Sequence, residues 1–238
     1  MDMSRAFKPD MDELVEFIRT FSMSSLCEEP KFVTFLSTLH KKFYAYLTLS
    51  EEMRKCQDNP TKQPLLVAEQ TAFIQESVSD CGQCLFLCIN GCYKGARLLL
   101  RSSIENFLKG TCMDEISQIV TEKSVYQVFD DAELSDVFKK ETILLNQLHD
   151  IYSQLCADVH TADQNHMAGV TALQFFPRFV EEEAGKIKGV YIKLLPIFIT
   201  VLCIKYRMIF HSIEWKNKEI IASSHIDKYK PAIYGEKS

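Results

Sequence analysis

The chain has 238 residues, 47% of them hydrophobic and 25% charged. A chain of this length buries roughly 70% or more of its unfolded surface, enough for one large domain or two small ones. Its net charge of −5 excludes a protein that coats nucleic acid through a global basic surplus and leaves room only for a local basic cleft. With 8 glycines and 7 prolines, turn residues are too scarce for a sheet-rich fold, and long helices with few connections are predicted.

In chain order, residues 10–21 form a short amphipathic helix, with Met11, Leu14, Val15 and Ile18 at i, i+3, i+4, i+7. A long helix over 31–56 aligns Phe32, Phe35, Leu36, Leu39, Phe43 and Leu47. Residues 57–64, QDNPTKQP, read as a loop with two prolines and no apolar side chain. Helical signals then run from 65 to about 110, with a candidate break at 79–82, and 111–114 connect to a weaker helix over 115–129. Asp130 and Asp131 are candidate caps for a helix over 132–160. Residues 161–165 are polar and irregular, and 179–215 form a long final helix. Pro196 is the candidate kink in it. Its most apolar stretch, LLPIFITVLCI over 194–204, falls short of the ~20 residues a membrane-spanning helix needs and reads as a core helix. The chain thus reads as all-α, a single bundle of six to seven helices. An N-terminal helical extension (1–64) packs on the bundle (65–215), and a polar, partly mobile tail comes last (216–238).

Nine cysteines, an odd number, and a polar opening segment predict reduced thiols in a cytoplasmic protein without a membrane anchor. Cys81, Cys84, Cys88 and Cys92 would share one helix face, inviting a metal or iron–sulfur reading. On a continuous helix they span about 16 Å, too far to converge on one tetrahedral ion. Unless the helix breaks near Gly82, they serve as small apolar residues where helices pack closely. No metal and no cofactor is therefore expected.

Arg97, Arg101 and Glu105 recur at i, i+4, i+8. The same helical count sets them opposite the cysteines, either as an exposed salt-bridged stripe or as a partly buried pair lining a cleft. His149, Tyr152, Cys156 and His160 share a face of the next long helix. For His149 and Cys156 a buried face is the preferred reading over metal ligation. His160 sits at the helix end beside a polar loop, where the helix dipole favours its charged form, and is the better candidate for chemistry. Arg207 and His211, one turn apart, form a pair of a kind common by chance.

The order of two of these segments resembles a known family. G-x3-G-A-R-x3-R-x3-E, from Gly91 to Glu105, is followed by Y-S-x-L-x3-V-H, from Tyr152 to His160. This is similar to a group of bacterial HEPN-like helical proteins, over roughly residues 65–211. The resemblance implies a helical bundle that forms a homodimer. It also implies either a metal-independent ribonuclease of a toxin–antitoxin or phage-defence system or a non-catalytic interaction subunit of the same fold. RNA and a protein partner, an antitoxin or a defence-system subunit, are the implied ligands. The chain departs from the R-x4-6-H signature of the nucleases: Arg207 and His211 are one residue too close and Met208 comes directly after the arginine. The match is a split version, in which Arg101 stabilises phosphorane charge, Glu105 orients Arg101, His160 acts as general acid or base, and Tyr152 hydrogen-bonds nearby.

Overall fold

The most apolar stretch of the chain becomes its central helix. The computed structural model describes residues 7–57, 66–159 and 172–235. Among them no strand occurs, and the chain runs through α1 (Phe7–Thr20), α2 (Pro30–Gln57), α3 (Ala68–Ile89), α4 (Tyr93–Cys112), α5 (Val125–Glu133), α6 (Asp136–Lys140), α7 (Thr142–Val159), α8 (Glu181–Lys205), α9 (Arg207–Ser212), α10 (Trp215–Ala222) and α11 (Lys230–Tyr234), with short 3-10 turns between some of them. The all-α expectation holds. The expected six to seven helices are corrected to eleven α-helices among the described residues. The helix expected over 132–160 is interrupted at Leu134–Ser135 and at Glu141, and Asp131 lies inside α5 rather than capping its successor. Neither interruption carries Gly or Pro, so no local breaker announced it.

Along α8 every residue from Leu194 to Cys203 is buried, and a helix apolar all round belongs in a core. It is the one helix among the described residues long and apolar enough to cross a membrane, and 72% of its most apolar window is buried inside the fold. Phe198 stacks on Phe107 of α4 at 4.1 Å between centroids and meets Tyr46 of α2 at 5.5 Å. Aromatic pairs of this kind add about 0.5–1.5 kcal/mol to the burial itself. The long final helix kinked near Pro196 is also corrected. Pro196 is buried within an uninterrupted α8, and the helix stops at Tyr206, whose φ of −104° and ψ of 43° lie outside the helical region. Residues after Lys216, expected as a polar and partly mobile tail, fold instead as α10 and α11 as far as Tyr234. Ile221 and Ile233 are fully buried there.

The segment 65–110 is not one helix. α3 and α4 form a closely packed antiparallel hairpin, and the turn lies at Asn90–Cys92, not at the expected 79–82. Gly91 makes the reversal with φ +77°, and a Cβ there would lie 2.5 Å from the carbonyl oxygen of Arg178. Along the hairpin, small residues let the backbones approach. A Cβ on Gly110 would meet the backbone nitrogen of Ile74 at 3.0 Å. Two hydroxyls at this contact are satisfied: Tyr46 donates to Ser77 Oγ (3.0 Å), which donates to the Ser103 carbonyl (2.9 Å). Burying them unpaired would cost roughly 1–3 kcal/mol each.

At the far end of α4, Lys205 of α8, only 8% exposed in its side chain, bonds Asp114 at 2.8 Å and Glu115 at 2.6 Å. Glu115 also accepts from the backbone N–H of Asp136 at the start of α6. Burial works against the Glu115 carboxylate, but Lys205 and this N–H outweigh it and hold its pKa below the ordinary carboxylate value. A depressed folded-state pKa contributes stability above the unfolded value and loses it as pH falls through the folded one. Thermal melts against pH are therefore expected to show a loss below about pH 4 that is shallower in Glu115→Gln, with the variant already less stable at pH 7. Gly91→Ala is expected to lose about 2–4 kcal/mol in urea denaturation, from the left-handed backbone and the contact with Arg178 together.

Candidate functional site

α4 presents Arg101 and Glu105 one turn apart, and α7 packs across them with Tyr152. Arg101 Nε donates to Tyr152 Oη at 2.8 Å, and Tyr152 Oη donates to Glu105 Oε1 at 2.9 Å. Arg101 Nε and Glu105 Oε1 lie 3.4 Å apart, and the guanidinium carbon sits 5.3 Å from the centre of the Tyr152 ring. Burial, and then the Glu105 carboxylate, push the Tyr152 pKa well above its ordinary value despite the nearby Arg101. The phenol therefore keeps its proton, as a donor to Glu105 requires. Partial burial disfavours charge on Arg101, yet the hydrogen bond to Tyr152 leaves its pKa raised, so it remains cationic. Both Nη groups of Arg101 lack a hydrogen-bond acceptor among the described residues.

The network borders a cleft of about 490 Å³ between α4, α5 and α7. Arg101, Tyr152, His149 and Cys156 line it from α4 and α7. Lys123 and Tyr126 line it from the start of α5 and the residues before it. No aspartate or glutamate is among its lining residues, so a chain of net charge −5 has a cationic recess there. Phe129 of α5 stands edge-on to His149 (5.0 Å, 86°) and to Tyr152 (5.7 Å, 66°), fixing two of its walls. Next to the cleft along α4, Asn106 donates to Asp80 of α3 at 2.9 Å, and burial raises the pKa of this carboxylate above its ordinary value.

Of the residues singled out in the sequence, Arg101, Glu105 and Tyr152 are brought together. Arg97 is not with them. It is nearly buried and pairs with Glu183 at 2.5 Å, in the acidic first turn of α8, where negative charge also complements the helix dipole. The Arg97–Arg101–Glu105 stripe is thus divided between two neighbours. His160 lies outside the described residues, and α7 is described to Val159. His149 and Cys156, read as a buried face, are exposed and half-buried respectively and both border the cleft. The i, i+3, i+7 spacing with Tyr152 already put them beside it. Lys123 and Tyr126 carried no such signal, because only the folding of α5 against α4 and α7 brings them to the site.

Cys81, Cys84 and Cys88 are fully buried in the apolar core. Burial pushes the Cys81 thiol up to about 12 and the Cys84 thiol well above its ordinary value, so neither supplies a thiolate near neutrality. Cys92 lies beyond the Gly91 turn and off their helix, so the four are not one stripe. Among the described residues no group of three or more His, Cys, Asp or Glu side chains is arranged to hold a metal ion. His211 is used elsewhere, its Nε2 lying 3.1 Å from the carbonyl of Ile233 in α11.

No family model, no curated protein and no solved structure matches the chain. The site therefore stands on its own geometry. Tyr152→Phe is expected to cost about 1–2 kcal/mol in urea denaturation. Combined with Glu105→Ala it should cost less than the two single changes summed, because both remove the same hydrogen bond.

Proposed function

We propose that this chain is a HEPN-like protein of a bacterial toxin or phage-defence system, acting in the cytoplasm, which binds RNA in the Arg101 cleft and cleaves it without a metal. The observation that carries the reading is the Arg101–Tyr152–Glu105 network bordering a cationic recess in an otherwise acidic protein. Glu105 fixes Tyr152, Tyr152 fixes Arg101 Nε, and the two Nη groups remain for phosphate oxygens. A guanidinium held in this way loses little further freedom when it binds, and its planar fork suits a phosphodiester.

The reaction is transesterification. One imidazole removes the proton of the RNA 2′-hydroxyl, and that oxygen attacks the adjacent phosphorus. The 5′-oxygen of the next nucleotide leaves with a proton from a second group, and a 2′,3′-cyclic phosphate remains. Arg101 stabilises the charge gathered on the phosphorane oxygens. His160, carried over from the family pattern, and His149, which borders the cleft, are the two imidazoles. A second reading has its own support: Arg101 Nε, the Tyr152 hydroxyl and Glu105 satisfy one another, as a purely structural clasp in an interaction subunit would.

The two readings separate in one assay. Purified protein in EDTA is incubated with fluorescently labelled, unstructured RNA, and product ends are identified. Cleavage to cyclic phosphate that falls by roughly 10²-fold or more in Arg101→Ala, His149→Ala and His160→Ala, with circular dichroism unchanged, supports the nuclease. RNA left intact by the native chain, or cut at the native rate by Arg101→Ala, removes it and leaves the interaction subunit.

A further inference from the structure

Tyr126 is 78% exposed, more than any other large apolar side chain among the described residues. It stands at the Arg101 cleft. Its ring and hydroxyl have no ring or hydrogen-bond partner among the described residues. The other aromatic side chains at the cleft are committed: Phe129 meets His149 and Tyr152 edge-on, and Tyr152 joins Arg101 to Glu105. α5 explains the difference. It takes Val128, Phe129 and Ala132 into the packing. The i, i+3 spacing sets Tyr126 one turn before Phe129 and on a neighbouring side, so the helix carries the ring to the cleft and leaves it open to solvent. A lone exposed tyrosine elsewhere on the surface would need no explanation. This one shares a recess with a guanidinium whose two Nη groups have no acceptor among the described residues.

Lys123 supplies a second cation. It is exposed and has no carboxylate partner among the described residues. The backbone just before it is tied to α4, because Lys109 donates to the carbonyl oxygens of Val120 (3.1 Å) and Glu122 (3.0 Å). Lys123 is thus held at a defined place relative to Arg101, which lies on the same helix as Lys109. An inorganic anion or a lipid headgroup would use the two cations and leave the ring without a role. A nucleic-acid strand uses both, since its phosphates meet the cations and each of its bases has a π-face for the ring. In a duplex that face is stacked away, so only an unpaired base offers it.

We propose that Tyr126 is the platform on which the cleft stacks one base of a single-stranded RNA, and that Lys123 holds a phosphate next to the one held by Arg101. This rests on the RNA reading of the Arg101 cleft and adds to it how the strand is gripped. The cleft volume of about 490 Å³ suits one nucleotide rather than a helical stem. Stacking reads no hydrogen-bond pattern, so the platform selects unpaired strands and tolerates any base.

Fluorescence anisotropy on the full chain tests it, with a labelled 2′-O-methyl oligoadenylate of about ten nucleotides as the probe. This strand cannot be cut, because the attacking hydroxyl is blocked, so binding is read apart from cleavage. An abasic strand of the same length carries the phosphates without the bases. Tyr126→Ala is expected to weaken binding of the oligoadenylate at least ~10-fold, about 1.4 kcal/mol, and to leave the abasic strand unaffected. Tyr126→Phe keeps the ring and should bind within about 2-fold of the native chain. Lys123→Gln should lower the slope of log affinity against log salt by about 0.7. Lys193→Gln, in the groove on another side of α7, should leave that slope unchanged. Circular dichroism is expected to be native in all of them, since these side chains are exposed. The platform is overturned by a Tyr126→Ala chain that binds like the native one, or by a native chain that binds the abasic strand or an RNA duplex as tightly as the oligoadenylate. An unchanged salt slope in Lys123→Gln overturns the lysine contact. If Arg101→Ala loses the oligoadenylate while Tyr126→Ala keeps it, this inference falls alone. If the native chain binds neither strand, it falls together with the RNA reading.

Discussion

At Gly91 the backbone adopts a left-handed conformation that costs a residue with a Cβ roughly 1–2 kcal/mol, against a neighbouring carbonyl too close to admit one. The position of that reversal governs how the other helices are partnered. It folds α4 back along α3, where small residues let the helices approach. It therefore fixes which side of α4 meets α3 and which is left for α7. Arg101 and Glu105 fall on the α7 side and meet Tyr152. Arg97, one turn earlier, falls toward the first turn of α8 and meets Glu183. A reversal displaced to 79–82 would have placed the cysteines and the arginines on different partners.

The core explains why Cys81 and Cys84 are present without being reactive. From Leu194 to Cys203 α8 is buried around its whole circumference, so every helix beside that stretch must offer a complementary surface. Near Tyr191 and Phe198 that surface is supplied by small or flat side chains. Tyr191 donates to the Cys81 carbonyl at 3.2 Å, and Phe107 lies flat on Phe198. A thiol is small, apolar and weakly hydrogen-bonding, which suits such a seam. The same burial raises its pKa and removes the thiolate that metal binding or redox chemistry would use.

The cleft obeys a different principle. Arg101 from α4 and Lys123 from just before α5 reach one recess, while Glu105 beside Arg101 is engaged by Tyr152. The chain can therefore be acidic overall and cationic in one recess. Part of this was legible beforehand: i, i+4 spacing joins Arg101 to Glu105, and i, i+3, i+7 spacing sets His149, Tyr152 and Cys156 on one side of α7. What local spacing does not contain is which helix α7 crosses. The exposure of His149 and the arrival of Lys123 and Tyr126 belong to that crossing.

Scarce glycine and proline, helical periodicity and the apolar run at 194–204 determined by themselves that the chain is all-α and that its last long helix lies in the core. These are local properties, set by side-chain spacing along a few turns of backbone. The helix boundaries at Leu134–Ser135, Glu141 and Tyr206 were decided by tertiary structure, because no glycine or proline stands there and only packing of the flanking segments onto different neighbours ends the helices. The folding of 216–235 onto the body was decided in the same way. Ile221 and Ile233 stand in a mostly polar stretch and become core residues only where other helices supply an apolar surface for them. Helical type was thus written in the periodicity, while the partner of each face, and with it the composition of the cleft, was settled by the competition among faces for burial.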